Sequence, residues 1–236
     1  MHALYGSDDG AKSEAEMNAI IDTAYDEGAR YICLTPHYHP GYYGRNREKS
    51  EVAFSQLTEY VSSKYGDLQI ALGNELHYEA GCEYWLVNGM CRTLNETKYV
   101  LVDFSTVESK RVIQDALSRF LSVGYLPILA HAERYVKIYK DWKLLDMCAA
   151  NGILIQLDAG SLFGEFGFRA RRFAKAILAR GLADFIASDA HDTNRRPPQM
   201  ARAYEYVKKK YGQPYADKIC LENAKKLFFE KSAKEA

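Results

Sequence analysis

Two hydrophobic patterns alternate along this chain, and each predicts one kind of secondary structure. Short apolar runs predict β-strands at residues 31–34, 68–72, 99–104, 127–130, 153–157 and 184–187. Apolar residues three and four positions apart predict several helices. One helix follows a capping box at Ser13 and Glu16, and four others cover residues 48–64, 110–123, 170–180 and 199–211. Shorter helices are expected at 82–89, 142–150 and 223–229, and a polar, aromatic loop at 38–47.

This alternation of strand and helix is typical of a parallel α/β fold. The sequence shows no low-complexity linker, no proline-rich hinge and no internal repeat, so residues 1–236 are expected to form a single domain. In such folds, ligands bind at the carboxyl ends of the strands. The residues at those ends are therefore the first candidates for function.

Composition excludes some classes of partner. The chain has 31 basic and 31 acidic residues, so its formal net charge of +0 gives no support for a nucleic-acid surface. Five scattered cysteines without a Cys-x-x-Cys motif favour a reducing, cytoplasmic setting. No apolar run approaches the roughly 20 residues of a membrane span, and no signal peptide is visible.

Histidines and carboxylates follow successive predicted strands. The apolar run that begins at Tyr31 is followed by Thr35-Pro36-His37, and residues 127–130 are followed by His131. The other strand ends carry Glu75, Asp103, and Asp189-Ala190-His191. Imidazole and carboxylate groups gathered at one edge are what a metal centre requires, and this mixture suits Mn²⁺, Fe or Zn²⁺ better than a thiolate-bound metal.

Seven short stretches, in order, resemble one family over essentially the whole chain. They are Asp8-Asp9-Gly10-Ala11-Lys12-Ser13, Thr35-Pro36-His37, Gly73-Asn74-Glu75, Ala130-His131-Ala132-Glu133-Arg134-Tyr135, Asp158-Ala159-Gly160-Ser161-Leu162, Ala187-Ser188-Asp189-Ala190-His191 and Arg196-Pro197-Pro198. The chain resembles the polymerase-and-histidinol-phosphatase (PHP) superfamily, and within it the manganese-dependent tyrosine phosphatases of bacterial capsule and exopolysaccharide operons. The resemblance implies a distorted (β/α)7 barrel.

The resemblance also implies three metal sites that hold two to three ions, with Mn²⁺ as the expected metal. One site would use Asp9, His37 and His191, a second Glu75, Asp103 and His131, and a third His2, Glu75 and Asp189, with Glu75 bridging. Arg134 and Arg196 stand beside these residues in sequence, and we expect them to bind phosphate and take part in catalysis.

The chain departs from the family pattern at its first strand. The family opens with Asp-x-His-x-His, and Met1-His2 aligns with only the last two positions, so most of that strand is missing from this sequence. Either the native gene starts upstream or one metal site is incomplete, and we favour the first. Asp103 also stands where close relatives often carry glutamate.

Other hydrolase chemistries lack their motifs here. None of the five cysteines has an arginine six residues later, and the chain has no Gly-x-Ser-x-Gly elbow and no Walker loop. The resemblance implies dephosphorylation of the phosphotyrosine tail of a bacterial tyrosine kinase. Two alternatives stay open: a small-molecule phosphatase such as a histidinol-phosphate phosphatase, and a metal-poor phosphotyrosine-binding protein.

Three aromatic features had no assigned role. His77 lies just beyond Glu75, and His39 lies in the loop at 38–47. Residues 38–43 of that loop either pack the loop itself or form the wall of a pocket for an aromatic ring. The sequence does not decide between these readings, and it leaves the oligomeric state open.

Overall fold

The computed structural model describes residues 1–43 and 46–230. Its strands are β1 (Tyr31–Leu34), β2 (His37–Tyr38), β3 (Gln69–Leu72), β4 (Glu75–His77), β5 (Tyr99–Asp103), β6 (Leu126–Leu129), β7 (Leu154–Asp158) and β8 (Phe185–Ala187). Its α-helices are α1 (Glu14–Asp26), α2 (Arg47–Lys64), α3 (Glu83–Val87), α4 (Lys110–Ser122), α5 (Trp142–Ala150), α6 (Gly167–Ala179), α7 (Met200–Tyr211) and α8 (Gln213–Asp217). Two π-helical turns follow at Lys218–Glu222 and Lys225–Phe229.

All strand pairs in the described residues are parallel, which confirms the predicted α/β class. β1 pairs with β3, and the other strands form a sheet in the order β2-β4-β5-β6-β7-β8. Because the strands run in one direction, their carboxyl ends lie at one edge. The register places His37 opposite Glu75 and His77 opposite Asp103, so candidate site residues on neighbouring strands stand side by side.

The strand array curls until its two ends meet at the first two residues. The His2 amide donates to the Ala190 carbonyl beyond β8 at 2.8 Å, and the Thr35 amide beyond β1 donates to the Met1 carbonyl at 2.9 Å. The curled sheet encloses an apolar cluster of Leu94, Leu101, Ile128, Ala130, Phe185 and Phe228. The site edge therefore rests on a packed interior.

The longer helices bury one apolar face each, as their periodicity predicts. In α4, the Ser109 side chain accepts from the Val112 amide and caps the helix. Ile113, Leu117 and Phe120 of this helix are fully buried, and truncating such a phenylalanine to alanine costs about 3–5 kcal/mol of stability. Within residues 1–43 and 46–230, no helix has both the length and the hydropathy needed to cross a membrane.

Two short strands were not predicted, and one of them changes the position of Glu75. Tyr38, predicted to begin a loop, lies in β2, and Glu75, predicted to close the strand at 68–72, instead begins β4. Asn74 separates β3 from β4, because its side chain donates to the Pro36 carbonyl at 2.9 Å and accepts from the Arg92 amide at 2.9 Å. The Gly73 and Glu75 amides still donate to the Leu34 and Pro36 carbonyls, so these side-chain bonds add to the backbone bonds across the break.

Candidate metal centre

Three overlapping groups of side chains lie at the carboxyl edge of the strands. Within each group the possible ligand atoms are all within 4.8 Å of one another. The groups are His2, Asp9, His37 and His191; His2, Glu75 and Asp189; and Glu75, Asp103 and His131. The structure thus brings together all eight residues that the sequence predicted as ligands, and it adds His2 to the group built on Asp9.

His2 belongs to two of the groups, and its two ring nitrogens contact different carboxylates. Nδ1 lies 2.7 Å from Asp8 Oδ2, and Nε2 lies 2.8 Å from Glu75 Oε2 and 3.3 Å from Asp189 Oδ1. Burial works against a charge on this ring, yet the carboxylates of Asp8, Asp189 and Glu75 hold the pKa of His2 well above its ordinary value. These carboxylates therefore favour the protonated imidazole as long as no cation is bound.

Glu75 lies at the centre of the cluster. One carboxylate oxygen contacts His2, and the other, Oε1, lies 2.9 Å from His131 Nε2. The residue is 2% exposed. Burial would raise its pKa, but hydrogen bonds from His131 and His2 hold the pKa of Glu75 well below its usual range. An ionised carboxylate with two separately engaged oxygens can bridge two cations.

Two candidate ligands adopt backbone conformations that their residue types rarely adopt. His131 has φ +33° and Asp189 has φ +48°, both in the left-handed region. The turn at His131 sends the chain from β6 directly into the 3-10 turn Ala132–Arg134. Strain of this kind is concentrated at functional sites, and here it places an imidazole, a carboxylate and an arginine at one edge.

His191 presents a free nitrogen to the centre. Its Nδ1 lies 2.8 Å from the Asp189 carbonyl, which can only accept, so Nδ1 carries the proton and Nε2 is unprotonated in the neutral ring. Nε2 is buried without a hydrogen-bond partner among the described residues and lies 3.5 Å from Asp9 Oδ1. Burial and the charge of His2 lower the pKa of His191 to about 3 and also lower that of His37.

The two predicted phosphate-binding arginines converge on one carboxylate oxygen. Arg134 Nη1 lies 3.1 Å from Asp189 Oδ2, and Arg196 Nη2 donates to the same atom. The Phe166 ring lies 4.3 Å from the Arg134 guanidinium and 5.9 Å from that of Arg196. Burial alone would lower the pKa of Arg134, but the charges of Asp189 and Asp158 raise it above its ordinary value. Both guanidiniums are thus held beside the centre.

The side of the centre formed by β2, β4 and β5 carries two further histidines. His77 Nδ1 lies 3.0 and 3.1 Å from the two oxygens of Asp103, and His39 Nε2 lies 2.9 Å from Glu79 Oε1. The hydrogen bond with Asp103 is the main reason that the pKa of His77 is raised. His77 therefore orients a candidate ligand.

Sequence reasoning assigned no role to three residues that support the centre: Asp8, His77 and Phe166. Asp8 stands next to Asp9, and the doublet gave no basis for assigning them different roles. In the structure, Asp8 Oδ2 also accepts from the His37 amide at 2.8 Å. A carboxylate behind a ligating histidine is a frequent arrangement at metal sites, and the spacing of Asp8 from His2 could have suggested it.

Comparison with known proteins identifies relatives along nearly the full length. The family model described as capsular polysaccharide synthesis, CpsB/CapC, matches residues 1–229. The tyrosine-protein phosphatase CpsB of Streptococcus pneumoniae is 34% identical over 235 residues, which cover 97% of this chain and 96% of CpsB. The tyrosine-protein phosphatase YwqE of Bacillus subtilis is 30% identical over 228 residues, with coverages of 96% and 89%.

The fold is similar to that of solved relatives as well. A crystal structure from work on YwqE from Bacillus subtilis and CpsB from Streptococcus pneumoniae, described there as unique metal-dependent tyrosine phosphatases, superposes with a TM-score of 0.82. The two chains are 29% identical, and the superposition covers 91% of this chain and 87% of the other. The curled parallel sheet is therefore the fold shared with these proteins.

Proposed function

Since the chain belongs to the CpsB/CapC family of capsular polysaccharide synthesis proteins, we propose that it is a metal-dependent protein-tyrosine phosphatase. The observation that carries this proposal is the set of three overlapping ligand groups, joined through His2 and Glu75, with two arginines beside them. That arrangement combines cation binding with anion binding at one edge of the sheet.

The donor set fits divalent cations. Imidazole nitrogens and carboxylate oxygens suit Mn²⁺, and also Fe or Zn²⁺, and we propose two to three ions with Mn²⁺ as the native one. The buried, unpartnered Nε2 of His191 supports this fit. The proposed ligands are His2, Asp9, His37, Glu75, Asp103, His131, Asp189 and His191. When bound, the cations would supply Lewis acidity towards the phosphate and towards an attacking water.

The catalytic role of the chain's own side chains is to hold the phosphate. We propose that Arg134 and Arg196 bind its oxygens and offset charge that develops on the transferring group. Phe166 packs closely against the Arg134 guanidinium, and the Arg196 guanidinium lies at a longer cation–π distance of 5.9 Å. A phenolate leaving group has a conjugate-acid pKa of about 10, so the site needs little help from a general acid, which agrees with phosphotyrosine as substrate.

We further propose a physiological setting and a finer description of the fold. The substrate would be the phosphotyrosine tail of a bacterial tyrosine kinase, in the cytoplasm, where its dephosphorylation would regulate capsule or exopolysaccharide synthesis. The curled sheet would be the distorted (β/α)7 barrel of the PHP type, with residues 1–236 as one domain. The family membership and the strand-end ligands support both proposals.

Substrate comparison tests the proposed function against its alternatives. The Mn²⁺-loaded protein is assayed with a phosphotyrosine peptide and with histidinol phosphate, with and without EDTA. We expect peptide turnover that EDTA abolishes. Preferential hydrolysis of histidinol phosphate would favour a small-molecule phosphatase, and tight peptide binding without turnover would favour a phosphotyrosine-binding protein. Turnover that survives EDTA would contradict the metal-dependent mechanism.

A further inference from the structure

A pocket of about 370 Å³ adjoins the metal centre at His37 and Asp103. Among the described residues it is lined by His37, His39, Tyr42, Tyr43, His77 and Asp103. His37 and Asp103 also belong to the ligand groups, so the pocket opens directly on the centre. The two arginines contact Asp189, which belongs to another of the ligand groups.

Aromatic rings form the wall of this pocket. Tyr43 stacks on His37, with ring centroids 5.4 Å apart and an interplanar angle of 8°. Tyr42 meets His39 edge to face at 5.5 Å, and His39 meets His77 edge to face at 4.9 Å. These separations lie in the range of favourable aromatic pairs, so the wall is continuous from one side of the pocket to the other.

The wall is held in place from behind, whereas its outermost ring is open to solvent. His39 is paired with Glu79 and His77 with Asp103. Tyr42 is 82% exposed although it is a large aromatic residue. An exposed ring at the mouth of a preformed aromatic pocket is suited to cover a ligand.

From these contacts we propose that Tyr42, Tyr43, His39 and His77 form the subsite for the aromatic ring of the substrate and thereby select aryl over alkyl phosphates. The inference rests on the proposed function, since it assigns the part of the same site that contacts the leaving group. In an aryl phosphate the ring is bonded directly to the ester oxygen. It must therefore lie close to the proposed metal ligands, and two of these, His37 and Asp103, line this pocket.

The pocket has room for such a ring. An engineered cavity of about 150 Å³ accommodates benzene, and the volume here is more than twice that. The surplus leaves space for the first atoms of a peptide backbone. An alkyl phosphate such as phosphoserine has no ring to contact this wall, so it gains nothing from the aromatic contacts.

Binding of two small phosphonates to the Mn²⁺-loaded protein tests the subsite. Phenylphosphonate and methylphosphonate share the anionic head and differ in the ring. We expect Tyr42→Ala and Tyr43→Ala each to weaken the affinity for phenylphosphonate about five- to tenfold in calorimetric titration. The affinity for methylphosphonate should change less than twofold. Tyr42→Phe should restore phenylphosphonate binding. Tyr84→Ala, which removes a tyrosine that is also exposed (63%) but lies outside the pocket lining, is the matched control.

Two outcomes would overturn the subsite. Equal weakening of both phosphonates would show that the tyrosines support the centre and do not contact the ring. Unchanged phenylphosphonate binding in both alanine variants would show that the ring lies elsewhere. Failure of the proposed function itself is recognised separately, as absence of phosphotyrosine-peptide turnover by the unsubstituted protein.

Discussion

His2 Nδ1 lies 2.7 Å from Asp8 Oδ2, and this one contact decides which nitrogen of His2 faces the cluster. Because Nδ1 is engaged, Nε2 points to Glu75 and Asp189. Asp8 is held in turn by the amides of His37 and Gly10. The carboxylate thus orients a proposed ligand from behind without belonging to any of the three ligand groups.

Asp8→Asn should weaken metal binding while it leaves the fold intact. An amide keeps the size of the side chain but loses the charge that fixes the His2 ring, and loss of such a partner typically costs about 10- to 100-fold in metal affinity. Competition with a fluorescent chelator measures the change. Asp67→Asn, which alters a carboxylate on the protein surface, is the control. Equal Mn²⁺ affinity in wild type and Asp8→Asn would rule out the orienting role.

Metal binding should release a proton from His2. In protein free of metal, the carboxylates around His2 raise its pKa well above 6.5, so the ring is protonated at neutral pH, and ligation requires it to be neutral. Affinity for Mn²⁺ should therefore rise with pH, by up to about tenfold per unit for one proton, until pH passes that raised pKa. Calorimetry in two buffers of different ionisation enthalpy counts the proton. We expect about one at pH 7, and zero would contradict this assignment.

Arg134→Lys and Arg196→Lys should each lower kcat/KM for a phosphotyrosine peptide, although charge is retained. Lysine cannot reproduce the planar fork of a guanidinium, and a lost hydrogen bond to a charged group costs about 1.5–3 kcal/mol, which corresponds to roughly 10- to 100-fold. Arg111→Lys, whose side chain is 92% exposed on α4, is the control. Steady-state kinetics give the comparison, and undiminished kcat/KM in both site variants would remove the arginines from the mechanism.

Alkylation of cysteine should leave activity unchanged. Burial raises the pKa of the thiols of Cys33, Cys82, Cys148 and Cys220 to about 12, and it raises the pKa of the Cys91 thiol further. At pH 7 very little thiolate is therefore available to react. Iodoacetamide treatment followed by mass spectrometry and an assay checks this, with a guanidinium-unfolded sample as the fully labelled control. Activity lost in step with labelling of the native protein would indicate cysteine chemistry.

Periodicity predicted the long elements well because they bury one face each. The helix expected at 110–123 is Lys110–Ser122, and the strand at 31–34 is Tyr31–Leu34. Among the elements that escaped prediction, the strands β2 and β4 have two and three residues, and the helix α8 has five. A strand of two or three residues is too short to show an alternating hydrophobic pattern. These strands form because β2 pairs with β4 and β4 pairs with β5.

The candidate site was predictable where residue type and strand position coincide. Imidazoles and carboxylates after buried strands identified His37, His131 and Asp189, and parallel topology brings such positions to one edge. Phe166 lies near two arginines that are about thirty residues away in sequence on either side, and spacing carries no information on such contacts. Asp8 is only six residues from His2, but the Asp8-Asp9 doublet does not show which carboxylate turns towards the ring.

Titration of metal-free protein with Mn²⁺, with bound metal and phosphotyrosine-peptide turnover followed together, tests the central claim most directly. Turnover should be absent at the start and rise as the ions bind. His131→Ala and His191→Ala, which alter side chains at strand ends outside the apolar core, should each bind less metal and lose activity by orders of magnitude while staying folded. Full turnover in the metal-free protein, or near-normal turnover in either variant, would contradict the account.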